Sequence, residues 1–380
     1  MFCLRLARGS RPIPLLRGLL LAVVSGGVGF LLLATLTRAL THPEQTTPAI
    51  TQLLWCLLPV AATAPLAAAC SRLATGGNLD RSLAASGNGS RRLAGVAATA
   101  TALAGAFGSA LALLVFLPLS DTVVDLVADE RATAPRTPSL PLAGTVTLLS
   151  VVPLVSAGSA LAAHRLRPGP TGRRAPGSPL PWRWLRDGAA VTAVGLAVEL
   201  GADRLGPGRQ IEPPGGLAPV PVGVLVGWTL TVTGFAMAGP GLIGLGGRLL
   251  ASVRPGVLRL LAGRGLEADA VRLGHPMGLV CAAGCAVLAG TRLAQDSGSV
   301  RLEPLTVLGA ALILFCVVAT ALTATARAHQ LRAGTRATMA GFGAPASLLR
   351  RAALLRGSVL VGLLGPLTWA VAELAASPLH

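Results

Sequence analysis

The chain has 380 residues, of which 52% are hydrophobic and 12% charged, with a mean hydropathy of +0.68. A soluble domain carries about a quarter charged residues, so this composition excludes an ordinary soluble protein. The formal charge of +17 rests on 32 basic residues, every one an arginine. Its distribution along the chain follows membrane topology and leaves nothing for nucleic-acid binding to explain.

The apolar residues come in long blocks. A block of about 18 or more crosses the hydrocarbon core of a bilayer as a helix. Only helices and closed barrels satisfy their backbone hydrogen bonds in lipid. A barrel would alternate apolar and polar residues over strands of about ten, and no such alternation is present. The predicted fold class is therefore all-α: a polytopic transmembrane helical protein with about nine spans, in a range of eight to ten.

The first 17 residues hold Arg5, Arg8, Arg11 and Arg17, followed by an apolar run over 18–37. That run is long for a signal peptide and no small-x-small cleavage site follows, so it reads as a retained first span. The remaining spans are predicted at 50–70, 93–117, 142–163, 188–202, 220–245, 277–294, 305–326 and 357–376. Pro59 and Pro65 interrupt the second and Pro153 the fourth, where a break can mark a hinge or a cavity. The stretch 121–130, with Asp121, Asp125, Asp129 and Glu130, reads as a solvated outer loop. The segment 168–181 is rich in Pro, Gly and Arg and reads as a flexible cytoplasmic linker. Over 247–261, leucines alternate with Arg248, Arg254 and Arg259, which predicts a helix interrupted near Pro255, either amphipathic along the inner surface or a solvated loop helix.

With the N-terminus inside, the inner segments hold 25 of the 32 arginines and four acidic residues, and the outer loops hold seven arginines and nine acids. Arginine excess in cytoplasmic loops orients membrane proteins, and the same charge is drawn to anionic lipid. The expected location is a bacterial inner membrane, crossed many times.

Charges inside spans are functional candidates by default. Glu199, Arg292 and Glu373 are those candidates. Interfacial anchoring is the competing reading, and Arg204 is a possible partner for Glu199. Cys281 and Cys285 share a helix face, which could suit a metal, but two small apolar residues in a span explain them better, so no metal site is expected. A phosphate-binding loop needs a lysine, and this chain has none. No HExxH or GxSxG occurs and the five histidines are scattered, so no catalytic residues are expected and the chain is not expected to be an enzyme.

Two inner segments resemble each other. The first, 72–92, contains SLAASGNGSRRL from position 82; the second, 327–356, contains TMAGFGAPASLLRR from position 338. Each has a small-residue turn, paired arginines and then an apolar run with an internal glycine. In the first, Gly87 precedes Arg91 and Arg92; in the second, Gly343 precedes Arg350 and Arg351. With AGPGL from 238 and LAGRGLEAD from 261, these stretches and their order resemble an ABC transporter permease of the FtsX-like (MacB-type) group. The resemblance implies two related four-helix units separated by two spacer helices. The first unit is 1–167, a cytoplasmic linker 168–186, spacers with the amphipathic segment 187–275, and a second unit 276–380 that falls short of its last helix. Unlike much of the group, this chain has short outer loops, so it lacks a large extracellular domain, and alanine and threonine stand where the group often has a glutamate.

The resemblance further implies that the two inner loops dock onto a separate ATPase. Leu83 and Met339 would be apolar knobs, Gly87 and Gly343 would turn the chain, and Arg91, Arg92, Arg350 and Arg351 would anchor the following helices. The implied function is export of an amphiphilic substrate, or force transmission, driven by that subunit, which would carry the ATP and Mg²⁺. No cofactor is expected on this chain. The implied partners are the ATPase, a second permease or a second copy of the chain, and lipid. A non-transporting membrane regulator or scaffold with a degenerate permease fold is the alternative. A secondary transporter fits less well, because ion coupling usually needs more buried charge.

Overall fold

Long uninterrupted runs of Leu, Ala, Val and Gly favour helix wherever no water competes for the backbone, and helices dominate the architecture. A computed structural model of the chain describes residues 12–41, 46–74, 89–127, 142–165, 182–202, 210–211, 220–252, 256–296, 304–343 and 345–376. Among these, nine helices follow in order: α1 (Pro12–Thr41), α2 (Thr46–Ala74), α3 (Gly89–Val127), α4 (Leu142–Arg165), α5 (Trp182–Ala202), α6 (Val222–Ser252), α7 (Val257–Asp296), α8 (Pro304–Gly341) and α9 (Ala346–Ala376). A two-residue antiparallel pair, β1 (Gln210–Ile211) with β2 (Val220–Pro221), lies between α5 and α6.

Eight of the nine helices are long and apolar enough to cross a membrane. Helix α5 falls short of that measure, and eight lies within the expected range of eight to ten. Its 21 residues include Arg183, Arg186, Asp187 and Glu199, so no long window of it is free of charge. Many of the eight apolar helices turn large side chains outward, with Val96, Leu103, Leu154 and Val361 each at least 68% exposed. Outward apolar surface on this scale matches a lipid environment. The chain is a multi-pass helical membrane protein.

Several helices run beyond their predicted spans. Helix α3 continues through position 127, so the acidic stretch read as a loop from 121 is helical at least that far. The seventh span was expected to begin at 277, just after Pro276, but α7 begins at Val257 and carries Pro276 inside it. Proline is tolerated within a buried membrane helix because neighbouring groups satisfy the freed carbonyl. Among the described residues of the segment 247–261, 247–252 are the end of α6 and 257–261 the start of α7. Likewise, among the described residues of the inner loop 327–356, those through Gly341 end α8, 342–343 form a turn and those from Ala346 begin α9.

The chain divides into two compact units. The first comprises residues 1–169 with 302–320, and the second 170–301 with 321–380. In the first unit, α1 and α3 run parallel and meet through small residues. A Cβ on Gly26 would lie 3.3 Å from the carbonyl oxygen of Gly108. Ser25 Oγ donates to the Gly105 carbonyl at 2.7 Å and lies 3.2 Å from Ser109 Oγ. One turn on, Phe30 and Phe116 pack edge to face with centroids 5.7 Å apart. Helix α4 closes on the same helix where Gly105 faces Pro153.

In the second unit, α6 is gripped on two sides by close backbone contact. Against α5, a Cβ on Gly188 would meet Ala238 N at 2.5 Å, and one on Gly195 would meet Thr231 N at 2.6 Å. Against α7, a Cβ on Gly278 would meet the Ala236 carbonyl at 2.8 Å, and one on Gly247 would meet that of Gly263 at 2.8 Å. Hydrophobic force is weak between helices already in lipid, so small residues that let backbones approach supply the packing. Ile243, Leu266, Ala270, Leu273 and Ala328 form a core joining α6, α7 and the later part of α8.

Candidate functional site

The second unit gathers its charged groups where α7, α8 and α9 meet. Asp269 on α7 is 4% exposed and is ion-paired with Arg332 on α8. Arg332 Nη2 also donates to the Gly265 carbonyl at 2.7 Å. From α9, Arg356 Nη2 donates to the Leu261 carbonyl at 2.9 Å, and its guanidinium covers Gly265. A side chain at Gly265 would occupy the space that the Arg356 guanidinium fills, so the glycine makes room for the arginine. Around this centre, Glu267 stands 3.8 Å from Arg248 and 3.3 Å from Arg264, in more exposed contacts. The result is a polar clamp that ties the first turns of α7 to the end of α8 and the start of α9.

Beyond the clamp, α8 and α9 form a protruding elbow. Phe342 N donates to the Thr338 carbonyl at 3.1 Å as α8 ends. Gly343 follows at φ +84°, the left-handed conformation that ends many helices and favours glycine. Phe342 is 92% exposed at this apex. Arg350 and Arg351, one turn into α9, are exposed as well.

A second polar feature lies between α5 and α6. Glu199 is 0% exposed. Its Oε1 accepts the Thr231 hydroxyl at 3.1 Å, and its Oε2 is buried without a hydrogen-bond partner. Other buried threonines bond back to their own helix, as Thr37 does to Leu33 and Thr101 to Ala97. Thr231 reaches across to α5 instead.

No family model, curated protein or solved structure matches the chain.

The predicted site residues fare unevenly. Gly343, Arg350 and Arg351 share the elbow. Met339 lies in the last turn of α8 and Arg91 and Arg92 in the first turn of α3, as backbone positions only. Leu83 and Gly87 lie outside the described residues. Of the intramembrane candidates, Glu199 is fully buried, Glu373 is half-buried near the end of α9, and Arg292 is a backbone position in α7. Arg204 is outside the described residues. Cys281 and Cys285 are both buried on α7, and Cys285 Sγ donates to the Thr368 carbonyl on α9 at 3.2 Å. The clamp formed by Asp269, Arg332 and Arg356 was not anticipated. Its arginines belong to a run that loop charge alone accounts for, and only the fold shows that they close on an aspartate 63 and 87 positions away.

Proposed function

We propose that the chain is the membrane-spanning permease subunit of an ABC transporter, driven by a separate ATPase that docks on the α8–α9 elbow. With α5 crossing beside α6 as a ninth span, the N-terminus, the elbow and the clamp then face the cytoplasm of a bacterial inner membrane, in keeping with the arginine excess of those segments. The observation that carries the reading is Phe342, an aromatic side chain left 92% exposed where α8 ends, with Arg350 and Arg351 exposed one turn into α9. Exposed aromatic and arginine side chains are the composition that protein interfaces concentrate at their centre.

The clamp supplies the transmission. Closure of an ATPase dimer would push on the elbow as a lever. Arg332 and Arg356 hold α8 and α9 to the start of α7 through an ion pair and two bonds to backbone carbonyls. Displacement of the elbow therefore moves α7, and the close glycine contacts carry that movement to α6 and α5. ATP and Mg²⁺ belong to the partner, since a chain without lysine cannot form the ordinary phosphate-binding loop. The substrate class in this reading is amphiphilic, entering from or leaving to the bilayer.

Affinity purification in mild detergent with mass spectrometry tests the reading. A stoichiometric ABC ATPase is expected, lost when Phe342→Asp is combined with Arg350→Glu and Arg351→Glu. Purification of the folded chain with no ATPase at any stoichiometry sinks the permease reading and leaves a membrane regulator or scaffold.

A further inference from the structure

We propose that Glu199 is a proton-binding site: it is a neutral carboxylic acid while α5 and α6 are packed as seen, and gives up its proton only when they part. The site lies away from the elbow and the clamp, and its chemistry is independent of any ATPase.

The walls around Glu199 are glycine. A Cβ on Gly227 would run into the Glu199 side chain, and would lie 2.9 Å from the Gly195 carbonyl and 3.0 Å from Glu199 N. The two helices thus close on the carboxyl with no room for a bulky counter-ion. Among the described residues, one hydroxyl, from Thr231, reaches Oε1, and nothing reaches Oε2. Trp228 Nε1, on the residue after Gly227, is likewise buried without a partner.

The charged and titratable groups on the described parts of these elements are Arg183, Arg186 and Asp187 on α5 and Arg248 on α6. Helix α9, which also touches α5, adds Arg350, Arg351, Arg356 and Glu373. None of them bonds to Glu199, whose hydrogen-bond partner is Thr231. A carboxylate sealed in apolar surroundings without a cation is strongly disfavoured. A metal cation would need several oxygen ligands around it, and the site offers one carboxyl and one hydroxyl. A proton needs no space and removes the charge. When α5 and α6 separate, water reaches Oε2 and the acid can ionise.

Infrared spectroscopy of the purified full-length protein in lipid nanodiscs tests this at neutral pH. A carboxylic-acid C=O band is expected that shifts on labelling with carbon-13 glutamate and disappears in Glu199→Gln, which keeps the shape of the neutral acid. Gly195→Leu, which wedges the same helices apart while leaving Glu199 in place, is expected to remove the band as well. The labelled wild type reads the protonation state even if a variant fails to fold. Absence of an acid band from labelled wild-type protein overturns the proposal, as does loss of a carboxylate band rather than an acid band in Glu199→Gln. Persistence of the acid band in a folded Gly195→Leu variant overturns the part that assigns its retention to helix packing.

Discussion

Asp269 and Arg332 behave very differently from the surface pairs beside them. Removing one partner of a buried ion pair leaves the other charge uncompensated. Arg332→Ala is therefore expected to cost about 3 kcal/mol of stability, measured by reversible unfolding in mixed micelles, with much of the loss recovered in Arg332→Ala/Asp269→Ala. Arg264→Ala breaks a pair whose arginine is 75% exposed and is expected to change stability by less than about 1 kcal/mol. Equal losses for the two arginines would deny the clamp its special standing. At Gly343, a Cβ would touch nothing, so the cost of Gly343→Ala is confined to the backbone. Roughly 1 kcal/mol is expected from forcing alanine into the left-handed conformation, read from the same unfolding measurement.

At the scale of helices, backbone approach through glycine decides the packing of the second unit. Gly274 faces Pro240 across α6 and α7 so closely that any Cβ would overlap the proline backbone, whereas Gly158 has open space beside it. Gly274→Leu is expected to destabilise by about 1–3 kcal/mol through overpacking, and Gly158→Ala to be neutral or mildly stabilising. Thermal unfolding in detergent compares them, and a neutral Gly274→Leu would contradict the packing described. The existence of these helices was legible in the sequence because lipid imposes one pattern, a long apolar block, and eight of the nine predicted blocks became spanning-length helices, the ninth being the shorter α5. Their ends were not legible. Helices α3, α7 and α8 run on into polar sequence that looked like loop, since tertiary contacts such as Gly247 with Gly263 hold them in register beyond the apolar run. Of the candidate site, Glu199 stood out as a charge inside an apolar segment. Its burial between glycines did not, because spacing along one helix says nothing of what the facing helix lacks. The Asp269–Arg332–Arg356 clamp was hidden for the same reason.

At the scale of the whole molecule, the account turns on sidedness. In the proposed reading the arginine-rich elbow lies in the cytoplasm, where it meets a separate ATPase. The five described cysteines are all buried, so a cysteine placed on the elbow offers an exposed thiol against a quiet background. The measurement that tests this most directly is labelling of Phe342→Cys by a membrane-impermeant maleimide in spheroplasts and in inverted vesicles, with Cys3 replaced by serine. The account predicts labelling in inverted vesicles and none in intact spheroplasts. Labelling from the outside of intact spheroplasts would put the elbow on the wrong face and contradict the proposed coupling.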